Sequence, residues 1–175
     1  MKIITAFAFA ASLLASGLSS AAAARLHVTQ TIAIDASAAK VWKTAKDFDS
    51  LNTWHPAVAK DTIVEGTNNT VGAVRLLTLQ DGGTIKEKLL SFDAAGHKFK
   101  YSIVEGVIPV SNYTSTFVVA SAGKGKATVT WSGRFQRKNL ADNPADNEND
   151  KIATDTITGV YKSGLDNLKK VAEAK

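Results

Sequence analysis

The chain of 175 residues contains no cysteine. No disulfide can staple it and no lipidated cysteine can anchor it, so its stability has to come from a packed core. Histidine is scarce: His27, His55 and His97 stand far apart, without the spacing of a metal-ligand set, which argues against a zinc centre. No glycine-rich loop follows a strand and opens a helix, which removes the usual phosphate cradle, and no serine, histidine and acid form a nucleophile motif. The acid-rich stretch 142–150 lacks the central glycine and closing glutamate of a calcium loop and reads as a solvated approach to a helix. Internal repeats, low-complexity tracts and linkers are missing too. No cofactor is expected.

What is present begins with a short basic start, Met1 and Lys2, an apolar run over residues 3–14 and a small-residue end of the Ala-x-Ala kind over residues 21–24. This is the pattern of a secretory signal peptide. Cleavage is expected near Ala24, making residues 1–24 the signal peptide and residues 25–175 a single periplasmic or secreted domain. The apolar run is shorter than the roughly 20 residues of a spanning helix, so no stable membrane span is expected after cleavage. With 45% hydrophobic residues the mature part can build its own core. The net charge of +5 favours anionic partners. Nucleic acid is not expected among them outside the cytoplasm.

The longest regular pattern is the last. Over residues 146–174, Ile157, Val160, Tyr161, Gly164, Leu165, Leu168, Val171 and Ala172 recur at three- and four-residue steps, which places them on one stripe of a helix roughly 40 Å long. Asp146, Glu148 and Asp150 near its start and Lys169 and Lys170 near its end match the helix dipole. Gly159 and Gly164 on or near the apolar side could let another group approach closely. Ahead of it the chain reads as a strand over 26–34, a helix capped by Asp35 or Ser37 with Val41, Trp42, Ala45 and Phe48 inward, and a second short helix ended by Pro56. Six strands follow, over 58–65, 71–80, 84–93, 97–105, 111–121 and 126–137, separated by hairpin turns. A curved antiparallel sheet of this kind needs cover on its concave face, and only the last helix is long enough to supply it. A gap between the two would be a pocket.

Strand parity says which side chains face that gap. Lys86, Lys88, Lys98 and Lys100 alternate against Glu87, Leu89, Phe99 and Tyr101, so the lysines face solvent as one positive patch and the others face inward. Ile103 shares the parity of Tyr101, and Tyr113 shares that of Ser115. An inward Glu87 needs a partner, and Arg75, with Leu77 and Leu79 in its own parity, faces it if the hairpin loop between has an odd number of residues. Trp131 on the last strand and Ile157 and Tyr161 on the helix complete the lining, with His55 before Pro56 at its rim.

The ordered set Val41-Trp42, Asp47-Phe48, Trp54-His55-Pro56, Gly72, Arg75, Asp81-Gly82, Glu87, Leu89, Asp93, Tyr101, Pro109, Tyr113 and Trp131 resembles the polyketide cyclase/dehydrase type of the START-like superfamily. The resemblance implies an α+β helix-grip (Bet v 1/START-like) fold: a curved seven-stranded antiparallel sheet around a long C-terminal helix, plus two short helices. With the N-terminal pattern, it is similar to the exported MxaD-like branch of methanol oxidation systems. The layout is similar to the plant abscisic acid receptors as well, and by that resemblance Glu87, Tyr101, Tyr113, Ser115, Ile157 and Tyr161 fall on pocket positions. The receptors' hormone-binding lysine and gate are not matched, so hormone binding is not implied.

Three functions stay open. The first is a module binding a small hydrophobic or amphipathic ligand. The second, which the resemblance implies, is an accessory protein meeting an acidic exported redox protein through its basic face. The third is a cyclase or dehydratase in which Glu87, Tyr113 or His55 moves protons. The sequence offers no complete catalytic constellation, so binding is preferred over catalysis.

Overall fold

The computed structural model describes residues 24–174; the signal-peptide reading concerns residues that lie, Ala24 apart, outside them. The described chain runs β1 (Leu26–Ile34), α1 (Ala38–Ala45), a 3-10 turn (Leu51–Thr53), β2 (Val58–Glu65), β3 (Val74–Leu79), β4 (Thr84–Asp93), β5 (Lys98–Gly106), β6 (Val110–Ser121), β7 (Ala127–Arg137), a second 3-10 turn (Asp146–Glu148) and α2 (Asp150–Glu173). Of the two candidate caps of α1, Ser37 serves, accepting from the Lys40 N–H. Asp35 instead donates its own N–H to Glu173 on α2.

All seven strands form one antiparallel sheet in the order β1-β7-β6-β5-β4-β3-β2. Register shifts in β2, β4, β5 and β6 increase its bend. The third strand starts later than the alternation suggests, because residues 66–73 form turns in which Gly66, Asn69 and Gly72 take positive φ. The long helix also starts later. Asn149 caps it by accepting from the Ile152 N–H, and residues 146–148 are the turn leading in.

Helix α2 lies in the concavity and buries Ala153, Ile157, Tyr161, Gly164, Leu165, Leu168 and Ala172. Full burial of each larger aliphatic here stabilises by roughly 1.5–3 kcal/mol. Val160 at the flank is only partly buried, and Val171, expected on the stripe, is 39% exposed in the last turn. The helix end is tied to the start of the fold: Lys169 donates to the Ala33 carbonyl and Lys40 to that of Ala174.

The lysines of β4 and β5 do face outward, but they do not form one free patch. Direct cross-strand opposition of Asp93 with Lys98 and of Lys86 with Glu105 brings ion pairs of 3.4 and 3.8 Å. Lys88 and Lys100 are opposite Ser102 and Ser91 and have no carboxylate partner among the described residues.

Candidate functional site

A cavity of about 80 Å³ remains between sheet and helix. Leu77 and Leu79 of β3, Glu87 of β4, Tyr101 and Ile103 of β5, Tyr113 of β6, Trp131 of β7, Ile157 of α2 and His55 from the connecting loop all border it. Three residues assigned to the lining stand behind it instead. Arg75 turns away toward Phe48 and Asp61, and Ser115 and Tyr161 are held in a hydrogen-bonded cluster. Ile85, which shares the inward parity of Glu87, and Val160 of the helix stripe also border the cavity, as do Leu51, Ala57, Val58 and Ile108, which alternation and helical spacing do not single out.

The first polar cluster is ionic. Arg75 lies directly opposite Glu87, and the last pair of that hairpin, Thr78↔Thr84, encloses five residues, the odd count that the pairing needs. Arg75 Nε and Nη2 meet Glu87 Oε2 at 2.8 and 2.6 Å, its Nη1 donates to the Phe48 carbonyl at 2.6 Å and to Asp61 Oδ2 at 3.3 Å, and the guanidinium sits 4.1 Å from the Phe48 ring centroid. Burial depresses the arginine, but Glu87 and Asp61 outweigh it and hold the pKa above its ordinary value. Burial pushes the Glu87 carboxyl up, against the pull of Arg75. Burial also raises Asp61 to about 6, opposed by Arg75 and by the Leu51 N–H that it accepts.

A raised carboxyl pKa means that the folded state binds the proton more readily, so the Asp61 contribution is present at low pH and lost as pH rises through about 6. His55 works in the opposite sense, since burial lowers its pKa. Comparison with Asp61→Asn cancels the histidine. The stability difference between wild type and variant is expected to move by roughly 1 kcal/mol in favour of the wild type between about pH 7 and about pH 5. Urea unfolding of both proteins at the two pH values checks this; a difference that does not move, or moves the other way, contradicts it.

The second cluster is neutral. Trp131 Nε1 donates to Tyr101 Oη and Ser115 Oγ, both at 3.0 Å, and Ser115 Oγ donates to the Ser132 carbonyl at 2.9 Å. With its proton committed, Ser115 Oγ must accept from Tyr161 Oη at 2.9 Å, which in turn accepts from Tyr113 Oη at 2.5 Å. The protons therefore run one way, from Tyr101 through Tyr113 and Tyr161 to Ser115. The first step, Tyr101 to Tyr113, is 3.4 Å and the weakest. Burial raises all three phenols far above neutral pH, so they are donors and not bases. Gly133 makes room for the cluster, since a Cβ there would fall on the Tyr161 hydroxyl.

His55 is fixed at both nitrogens. Nδ1 accepts from the Ala57 N–H at 3.2 Å, which leaves Nε2 to donate to the Val160 carbonyl at 3.0 Å. That carbonyl is the helical acceptor for residue 164. The histidine reaches it because Gly164 carries no Cβ; an added Cβ would lie 2.9 Å from Nε2. Gly159 has open space at the same test.

A long helix gripped by a curved antiparallel sheet over a small cavity is the helix-grip architecture of Bet v 1-like proteins. The model of the family described as "Polyketide cyclase / dehydrase and lipid transport" matches residues 25–173, and the chain belongs to that family. The XoxI protein of Bacillus cereus is 32% identical, with 83% of this chain and 94% of that chain covered at a TM-score of 0.72. A ZhuI aromatase/cyclase from Streptomyces is 18% identical, covering 86% and 94% at 0.69, and Ara h 8.0201 is 19% identical, covering 85% and 98% at 0.68. At these last identities the likeness is one of fold.

Proposed function

We propose that the chain is an exported binding protein for a small amphipathic molecule, held between sheet and helix. The observation that carries this reading is the cavity itself, apolar on most sides, with Glu87 and the Tyr101 hydroxyl at its wall. The groups that a cyclase would use as acid or base are occupied: His55 at both nitrogens, Glu87 by Arg75, and Tyr113 by Tyr161. This favours holding a molecule over moving its protons. Export rests on the basic, apolar and alanine-rich pattern of residues 1–24; among the described residues no helix is long and apolar enough to cross a membrane. Native mass spectrometry of the protein recovered from the exported fraction tests both halves. The expected species starts near Arg25 and carries a small molecule released on denaturation; an intact Met1 or an always empty protein contradicts the corresponding half.

A second reading, an accessory role of the MxaD-like kind toward an acidic exported redox protein, draws on the convex face. There the register sets Lys88, Ser102, Thr114, Arg134 and His27 in one row across five strands, with Lys100 in the next; no carboxylate stands in either over those five strands, and the first row reaches Glu65 only at the far edge, beyond Val74. Association with such a partner is expected to weaken steeply with salt and with Lys100→Glu plus Arg134→Glu. Pull-downs at low and high salt check it, and capture that ignores both changes removes this reading.

A further inference from the structure

The hairpin of β5 and β6 is forked. The two strands pair from Lys98↔Val118 to Ser102↔Thr114 and no further. Beyond that point β5 keeps its pairing to β4, through Glu87↔Ile103, Lys86↔Glu105 and Ile85↔Gly106, while β6 pairs with β7 through Val110↔Arg137 and Ser111↔Gln136. The connection is pulled both ways as well: the Val107 N–H donates to the carbonyl of Thr84, the first residue of β4, and the Pro109 carbonyl accepts from the Lys138 N–H just after β7. On the β6 arm the register breaks between Ser111 and Thr114, and Asn112 stands at φ +48° with its carboxamide donating to Gln136. A non-glycine residue held in this region costs about 1–3 kcal/mol, which marks the bend as imposed by its surroundings.

A cleft of about 980 Å³ occupies the fork. In an unbroken sheet a hollow on one face is lined by every second residue, because successive side chains point to opposite sides. Here the consecutive residues 102–107 and 110–114 line it together, outward Ser102 and Thr114 beside inward Ile103 and Tyr113. The cleft therefore passes between the strands and does not lie on one face of them. Ile103 and Tyr113 also border the inner cavity, so these two side chains stand between the two spaces. The inner cavity alone is below the roughly 300 Å³ at which small-molecule pockets begin. Cleft and cavity together exceed that figure.

The two spaces differ in character. Apolar side chains dominate the inner one. The outer one carries Arg25, Lys138, Ser111 and Asn112 at its rim, while its one carboxylate, Glu105, leans toward Lys86. Val104 and Val107, 58% and 57% exposed, line the cleft between them. We propose that the ligand is a slim amphiphile with an anionic head, of the medium-chain fatty acid class, and that it enters through the β5/β6 fork. Its tail passes between Ile103 and Tyr113 into the cavity and its head stays in the cleft beside Arg25 and Lys138. This deepens the binding function proposed above and rests on it.

The cysteine-free chain makes the test clean, with decanoate as probe. A bulky maleimide on a Val104→Cys variant is expected to weaken decanoate binding at least about tenfold, while the same label on Lys124→Cys, in the exposed β6–β7 turn, leaves it unchanged. In an Ile103→Cys variant a charged methanethiosulfonate reagent is expected to reach the thiol, and saturating decanoate to slow that reaction by about tenfold or more. Near-ultraviolet circular dichroism of each labelled protein shows that the fold is kept. Full affinity after labelling at position 104, or no protection at position 103, overturns the fork as the route and leaves cavity binding standing. No decanoate binding even by the unlabelled protein overturns the anionic-amphiphile assignment, and bound molecules of another class in the native spectra then show whether the cavity reading survives.

Discussion

Glu87→Ala is expected to lower the unfolding free energy by about 3–5 kcal/mol, the range for breaking a buried ion pair from one side. Arg75 is 3% exposed and keeps its charge, so after the substitution its hydrogen-bond acceptors are the Phe48 carbonyl and Asp61 at 3.3 Å, beside the ring faces of Phe48 and Tyr101. Removing the charge from both sides behaves differently. In Arg75→Met with Glu87→Leu the strong pair disappears with its desolvation penalty, and most of the loss should be recovered. Recovery should be incomplete until Asp61→Asn is added, because Asp61 is then a carboxylate buried without its cation. Urea unfolding of the series gives the order: Glu87→Ala lowest, the double replacement above it, the triple highest of the three. A single substitution costing less than about 1 kcal/mol would mean that the pair is not the buried anchor described.

Gly133→Ala is the second large effect, about 2–4 kcal/mol, from crowding plus the loss of two buried hydrogen bonds. The added methyl takes the place of the Tyr161 hydroxyl, which must leave Tyr113 and Ser115. Mechanism and magnitude separate in a double-mutant cycle. In a Tyr161→Phe background the hydroxyl is already gone, so the same Gly133→Ala change should cost much less, with a coupling of about 1–2 kcal/mol. Strict additivity would show that the methyl is accommodated some other way.

Much of the fold was legible because its elements are long and strictly periodic. The burial of α2 followed from its three- and four-residue spacing, and the Arg75–Glu87 pair from parity and an odd loop. Asp61 was not legible. Alternation counted from buried Val58 turns Lys60 and Thr62 inward, but the register shift between Val58 and Lys60 reverses the parity, and Asp61 and Ile63 face in. Parity puts all four lysines on the outward face, but the carboxylates beside two of them were not legible, since opposition of Lys98 to Asp93 and of Lys86 to Glu105 depends on a register that single strands do not carry. The fork was not legible for a related reason. Alternation in β5 breaks at Val104 and in β6 between Ser111 and Thr114, and the separation of the two strands depends on these shifts, on the bend at Asn112 and on competing pairing with β4 and β7. A polar Ser111-Asn112 pair following Pro109 was the available signal.

An amide-resolved NMR titration with decanoate tests the central claim most directly, that a small amphiphile occupies the space between sheet and helix. Trp131 serves as an internal reporter, because its indole N–H is shared between Tyr101 and Ser115 beside the cavity. The expected result is saturable shifts at that indole, at residues 103–106 and 110–113, and at Ile157 on the facing helix. Shifts confined to the Lys88 and Lys100 face, or none that saturate, would contradict it.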